Sequence, residues 1–271
     1  MENSRRLVGR VPSPFAERLR RVRNWQSSEF YAALVIRPIA ILVMLVIADW
    51  RFVTPNRLTA AANVAKLAAA YGILSDHFIW AAVLLQAGLL FDHLDGTLAR
   101  YRGASTSLGG YFDKVSDVYT WVAITLALSW VVYQRTGSAA LLLMGSMSSV
   151  SMVTIGYVKW VFVHEEDRRR WRRAVADPAA AVARENAAPA SMSPPDRTPA
   201  QWLKFIGARL LKVVAFEEVD LFFWVGLFLV LDRLTPLIWL LAISQGIQVV
   251  AMTAWRAIQL ARIDRERAGA P

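Results

Sequence analysis

Four aspartates break an otherwise apolar stretch, FDHLDGTLARYRGASTSLGGYFDKVSDVYTW, residues 91–121. Asp92 and Asp95 are three apart, Asp113 and Asp117 four apart. On helices, those spacings place both members of a pair on one face. Two helices joined by a short turn would then aim all four carboxylates at one point. Carboxylates crowded beside apolar sequence repel one another and are costly to desolvate. A divalent cation removes that cost, and hard oxygen ligands suit Mg²⁺, Mn²⁺ or Ca²⁺ rather than zinc. The plainer reading is ion pairing inside a helical bundle. The cations near these aspartates are Arg100, Arg102 and Lys114, too few for four carboxylates. His93 lies within the first pair's frame but on another helix face, and reads as a packing residue rather than a ligand.

The elements that must hold these groups are membrane helices. Of 271 residues, 56% are hydrophobic, and the mean hydropathy is +0.35. Several apolar runs approach the ~20 residues needed to cross a bilayer. The expected fold class is therefore all-α integral membrane, with six transmembrane helices near 58–74, 78–98, 107–133, 139–163, 213–231 and 236–255, plus an N-terminal interfacial helix. The interfacial segment spans 31–53. Arg37-Pro38 inside it is awkward for a full crossing, which stands as the alternative. Residues 1–30 form a basic N-terminus, 54–258 the membrane domain with a basic loop at 164–212, and 259–271 a basic tail. The loop has an Ala- and Pro-rich middle, expected to be mobile, and ends in an amphipathic helix at 201–212. The net charge of +10 lies outside the apolar runs. It reads as a topology signal and an attraction to anionic lipid, not as a nucleic-acid surface. Six crossings place both termini, the Arg100 loop and the long loop on one side, which the positive-inside rule makes cytoplasmic. The aspartate site faces the same side. The Arg- and Ala-rich composition points to a bacterial inner membrane. No cysteine is present, so disulfide and thiol chemistry are excluded. The N-terminus lacks a signal-peptide pattern.

The aspartate stretch fits Asp-x2-Asp-Gly-x2-Ala-Arg-x8-Gly-x3-Asp-x3-Asp at Asp92, Asp95, Gly96, Ala99, Arg100, Gly109, Asp113 and Asp117. This resembles the signature of the CDP-alcohol phosphotransferase family. Thr54-Pro55-Asn56-Arg57-Leu58-Thr59 resembles the Pro-Asn-x2-Thr element that opens the first span in many members. The resemblance implies a membrane enzyme of six spans that moves a phosphate-linked group from a CDP-linked donor to an alcohol and releases CMP. It implies two divalent cations, Mg²⁺ or Mn²⁺, with Asp92, Asp95 and Asp113 as ligands. Asp117 would also lie at the metals and is the candidate general base. Gly96, Ala99 and Gly109 would let a nucleotide diphosphate approach the backbone, although small residues also serve helix packing. Arg100 can pair with phosphate or with a site carboxylate. Asn56 and Thr59 could bond the nucleotide or orient an aspartate, with helix capping as the plain alternative.

The likeness leaves the acceptor open, as a small alcohol or an alcohol phosphate, and makes CDP-diacylglycerol the expected lipid donor. Lys159, Glu217, Glu218 and Asp220 are acceptor-site candidates, because idle charge at membrane depth is costly. A Lys159–Glu217 ion pair would explain two of them without substrate. Family members often form homodimers, so a dimer is open too. Two other functions compete: a cation transporter or channel lined by the same carboxylates, and a catalytically inactive family relative. The transporter reading predicts internal repeats and broken helices near the bilayer midplane, whereas these aspartates gather at one face.

Overall fold

A computed structural model describes residues 15–22, 29–177 and 198–268. Among these, every regular element is helical. The helices are α1 (Phe15–Val22), α2 (Arg37–Ile47, entered through one π-turn at Ala32–Ile36), α3 (Pro55–Leu74), α4 (Phe78–Arg102), α5 (Ser107–Thr136), α6 (Ala139–Ala176), α7 (Pro199–Leu210), α8 (Glu218–Val230) and α9 (Leu234–Ala268). Four of them, α4, α5, α6 and α9, are long and apolar enough to cross a membrane. Outward-facing Leu67, Tyr71, Trp80, Leu143 and Val250 leave apolar surface that suits lipid, as in an integral membrane protein.

Among the described residues, the first compact unit holds those from 15 to 127 and from 198 to 233. Its centre is the antiparallel pair α3–α4. Ala62, Ala65 and Ala69 on α3 are buried, as are Ala81 and Leu85 on α4. A Cβ built on Gly72 would lie 3.2 Å from that of Ala81, so the two backbones nearly touch at the turn. Helix α2 lies against the far end of this pair. Ala40, Met44 and Ala48 form one core with Leu58, Leu94 and Leu98. Pro38 follows closely on the π-turn at Ala32–Ile36, whose wider winding is the kind of local adjustment that accompanies a proline within a helix. Helix α8 packs on α4 through Gln86, whose amide donates to the Phe222 carbonyl (2.8 Å) and accepts from the Tyr31 hydroxyl (2.8 Å). Gly226 makes this possible, since a Cβ there would fall 2.4 Å from the Gln86 nitrogen.

The second unit holds the described residues 128–177 and 234–268 and is built on α6 paired with α9. A Cβ on Gly145 would meet the Ser129 hydroxyl at 2.1 Å and Ile238 at 2.9 Å. The far ends of α6 and α9 are joined by Arg169–Asp264 (3.2 Å) and by Arg256 stacked 4.1 Å over the Phe162 ring.

Three expectations change. The helix expected to end at 163 continues to Ala176, carrying Arg168–Arg173 as helix rather than loop. Pairs such as Arg168–Glu165 (3.1 Å) and Arg170–Glu166 (3.7 Å) sustain it beyond the apolar stretch. The sixth apolar segment likewise extends to Ala268. The segment expected at 213–231 does not start as one helix. A 3₁₀ turn at Leu211–Ala215 ends at Phe216 with φ +50°, and α8 begins at Glu218. Glu218 and Asp220 in its first turn suit the positive end of a helix dipole. Its 13 residues rise only about 20 Å, short of the ~30 Å hydrocarbon core. The amphipathic helix expected at 201–212 is found as α7, capped by Thr198 and Gln201. The Ala- and Pro-rich middle of the loop lies at 178–197, outside the described residues.

Candidate active site

Each site element is terminated by its own sequence. Thr54 caps α3, its hydroxyl accepting from the Arg57 amide (3.3 Å), with Pro55 in the first turn. Thr54 therefore has the capping role considered for Asn56 and Thr59. Asn56 is exposed, while Thr59, a turn further on, donates its hydroxyl to Asp95. Helix α4 stops at Gly103, whose φ of +62° favours glycine, and the Ala104 amide returns to the Ala99 carbonyl (2.8 Å). Helix α5 opens at Thr106, whose hydroxyl accepts from the Gly109 amide (3.0 Å). The short connection brings the end of α4 to the start of α5, and the two aspartate pairs with them.

One carboxylate oxygen each from Asp92, Asp95 and Asp113 lies within 4.8 Å of the other two. That spread of hard oxygen donors, half-buried or buried at the end of apolar helices, fits a divalent cation. Asp117 stands at the edge of this group and is held by a residue the sequence reading overlooked. Lys66 of α3 places its Nζ 2.8 Å from Asp117 Oδ1 and 3.1 Å from Asp92 Oδ1. Lys66 is only 1% exposed. Its stem lies on Gly88 of α4, where a Cβ would come within 2.8 Å of Lys66 Cγ, and its ammonium is 5.7 Å from the centre of the Phe222 ring. The signal was a single lysine in the apolar run AAANVAKLAAAYG, at a depth where an unpaired charge is costly.

The cations expected nearby are used differently. Arg102 turns away, donating to the carbonyls of Ala48, Trp50 and Val53, and so ties the α2–α3 connection to α4. Lys114 reaches Asp113 at 3.6 Å from an exposed position. Arg100 is exposed and folds along its own helix, 3.5 Å from the Thr97 hydroxyl and over the bare face of Gly96, where a Cβ would stand 3.2 Å from its guanidinium. Ala99 is half-buried. A Cβ on Gly109 would meet only Thr106 Oγ1, at 3.1 Å. The His93 ring bonds the Leu89 carbonyl of its own helix (3.0 Å).

The acceptor candidates separate. Asp220 is fully buried and accepts from the Tyr31 amide (3.0 Å), a bond that pins the π-turn onto α8. Glu217 pairs with Lys212 (3.2 Å). Glu218 is exposed, and Lys159 is exposed on α6 in the second unit. Glu29, just before the π-turn, is pushed up to about 7 by burial and by the nearby Asp220, Glu217 and Glu218 carboxylates, although the Val219 amide donates to it.

The family model for CDP-alcohol phosphatidyltransferase matches residues 52–211. The chain belongs to the CDP-alcohol phosphatidyltransferase family. The matched region contains all four site aspartates and Lys66. Among curated relatives, a phosphatidylinositol phosphate synthase of Corynebacterium glutamicum is 35% identical over 47% of this chain and 57% of that protein. An archaetidylinositol phosphate synthase of Pyrococcus horikoshii is 32% identical over 35% of this chain and 50% of that protein. The alignments thus span about half the length of these relatives. The crystal structure of Mycobacterium tuberculosis phosphatidylinositol phosphate synthase with CDP-DAG bound has a TM-score of 0.45 and 23% identity, covering 80% of this chain and 91% of that one.

Proposed function

We propose that this protein transfers a phosphatidyl group from a CDP-linked lipid, CDP-diacylglycerol, to the hydroxyl of a small alcohol or alcohol phosphate, releasing CMP. The observation that carries this is the convergence of Asp92, Asp95 and Asp113, with Asp117 beside them, in a chain of this family. Asp92, Asp95 and Asp113 would hold Mg²⁺ or Mn²⁺, and Asp117 would share a second ion with them in the complete site. When bound, such ions stabilise negative charge on phosphate oxygens.

The chain's own groups divide the remaining work. Asp117 takes the acceptor proton as the acceptor oxygen bonds to the lipid-bearing phosphorus. The bond from that phosphorus to the bridging oxygen breaks, and the electron pair leaves with CMP. Lys66 occupies Oδ1 of Asp117, leaving Oδ2 to accept the proton. Arg100, at the mouth, pairs with donor phosphate, and the small faces at Gly96, Ala99 and Gly109 admit the nucleotide once Arg100 lifts from Gly96. Asn56 contributes a polar contact to the nucleotide, while Thr59 orients Asp95. The names of the relatives put inositol phosphate first among acceptors. The fixed Lys66 ammonium within the carboxylates is unsuited to a cation path. The protein would sit in a bacterial inner membrane with six spans, α3 and the segment formed by α8 with its preceding 3₁₀ turn at Leu211–Ala215 completing the four long ones, α2 at the interface and the site facing the cytoplasm.

The test is CMP release from CDP-diacylglycerol by the purified protein, with inositol phosphate, glycerol phosphate, inositol and serine as acceptors. Asp117→Asn should abolish release while retaining metal-dependent CDP binding. Full turnover in that variant would refute the base assignment. A Glu218→Gln variant with unaltered acceptor KM and turnover would remove Glu218 from the acceptor site.

A further inference from the structure

The two sides of the carboxylate group are not equivalent. Asp95 and Asp113 face each other with Asp92 close by, whereas the Asp92–Asp117 side already holds a cation, the Lys66 ammonium, within 3.1 Å of both. We infer that Lys66 is a resident cation of the site, standing where a second divalent ion would otherwise bridge Asp92 and Asp117, so that the donor-free protein takes up one divalent ion rather than two. This inference rests on the metal-binding reading above.

Three features keep the ammonium in place. Lys66 is 1% exposed, so a displaced Nζ would move into apolar surroundings rather than into bulk water. An ammonium buried without its carboxylates would forfeit both ion pairs and recover no hydration. Gly88 leaves room for the lysine stem alone, since even a methyl group there would collide with Lys66 Cγ. Charge agrees. Four carboxylates, the Lys66 ammonium, the Lys114 ammonium beside Asp113 and one divalent ion leave the site formally neutral. A second divalent ion would make the site cationic before any substrate arrives. It is accommodated once the donor's diphosphate brings two negative charges and further oxygen ligands.

The experiment is Mn²⁺ titration of the purified full-length protein in detergent, without nucleotide, read by electron paramagnetic resonance. The wild type should bind one Mn²⁺ per chain with the spectrum of an isolated ion. Lys66→Met, and Lys66→Gln as a second variant should the first not fold, should bind two with a spin-coupled spectrum. Added CDP should bring the second ion to the wild type. Two coupled ions in the nucleotide-free wild type would overturn the inference and leave the metal site intact. A single ion in a folded Lys66 variant would also overturn it, because Lys66 would not be what excludes the second. Absence of any Mn²⁺ binding would sink the metal reading itself, a result distinct from both.

Discussion

The first unit contains two acidic clusters, and they settle their charge in different ways. At the end of α4 and the start of α5, Asp92 and Asp117 share a buried lysine, while Asp95 has only the neutral Thr59 hydroxyl and Asp113 only the exposed Lys114 at 3.6 Å. Beside α8, Glu29, Glu217, Glu218 and Asp220 also repel one another. There the Tyr31 and Val219 amides, Lys212 and proton uptake by Glu29 answer the charge. The second cluster is answered by the protein's own groups; the first keeps more carboxylates than Lys66 and Lys114 offset. Residue type alone does not mark a metal site. What marks it is the charge left after the protein's own donors and cations are counted.

The most severe break of this contrast is Asp113→Asn. Losing one of three converging ligands should cost several kcal/mol of transition-state stabilisation, roughly a 10³-fold loss in kcat/KM. Isothermal titration with Mn²⁺ should show matching loss of binding. Next is Gly88→Ala, which forces a methyl group to 2.8 Å from the lysine stem and 3.1 Å from the Ala62 carbonyl. Overpacking of this kind costs about 1–3 kcal/mol. It should lower the Tm in detergent, whereas Gly110→Ala, in open space within α5, should leave it unchanged or raise it through helix propensity.

Removing only the Thr59 hydroxyl, as Thr59→Val, leaves Asp95 without its side-chain donor and should weaken Mn²⁺ binding about 10-fold. The smallest effect belongs to the other cluster. Glu29 titrates at about 7 against an ordinary 4.5, so the folded state holds its proton more tightly than the unfolded chain. Its contribution to stability therefore falls as pH rises from about 4.5 to 7, and is a penalty above that. Glu29→Gln should flatten that decline and raise stability at pH 8. Partial exposure and the attraction of Arg37 hold the gain to about 1 kcal/mol. Thermal unfolding of both proteins from pH 5 to 8 checks the sign.

Much of the site was legible because its information is local. The i,i+3 and i,i+4 aspartate spacings and the short turn at Gly103 bring carboxylate oxygens of Asp92, Asp95 and Asp113 within 4.8 Å of one another, while Asp117, expected at the same point, is held at the edge by Lys66. Lys66 was missed because its partners lie 26 and 51 residues away on other helices. Only the register of α3 on α4, set by alanines and by Gly88, shows which carboxylates it reaches. Arg102 was misassigned for the reverse reason, since proximity in sequence to Asp95 says nothing of the carbonyls that claim it. The ends of α6 and α9 were read short because hydropathy marks where apolar sequence stops, while helix is sustained further by ion pairs. The late start of α8 depends on the left-handed Phe216, which composition does not reveal.

The most direct test of the account is acceptor-dependent CMP release from CDP-diacylglycerol by the wild-type protein, before and after chelation. Release that requires an alcohol acceptor, stops with EDTA and returns with Mg²⁺ or Mn²⁺ is the predicted result. Release that continues undiminished without divalent ions would contradict it, because the four aspartates would then have no role as a metal site.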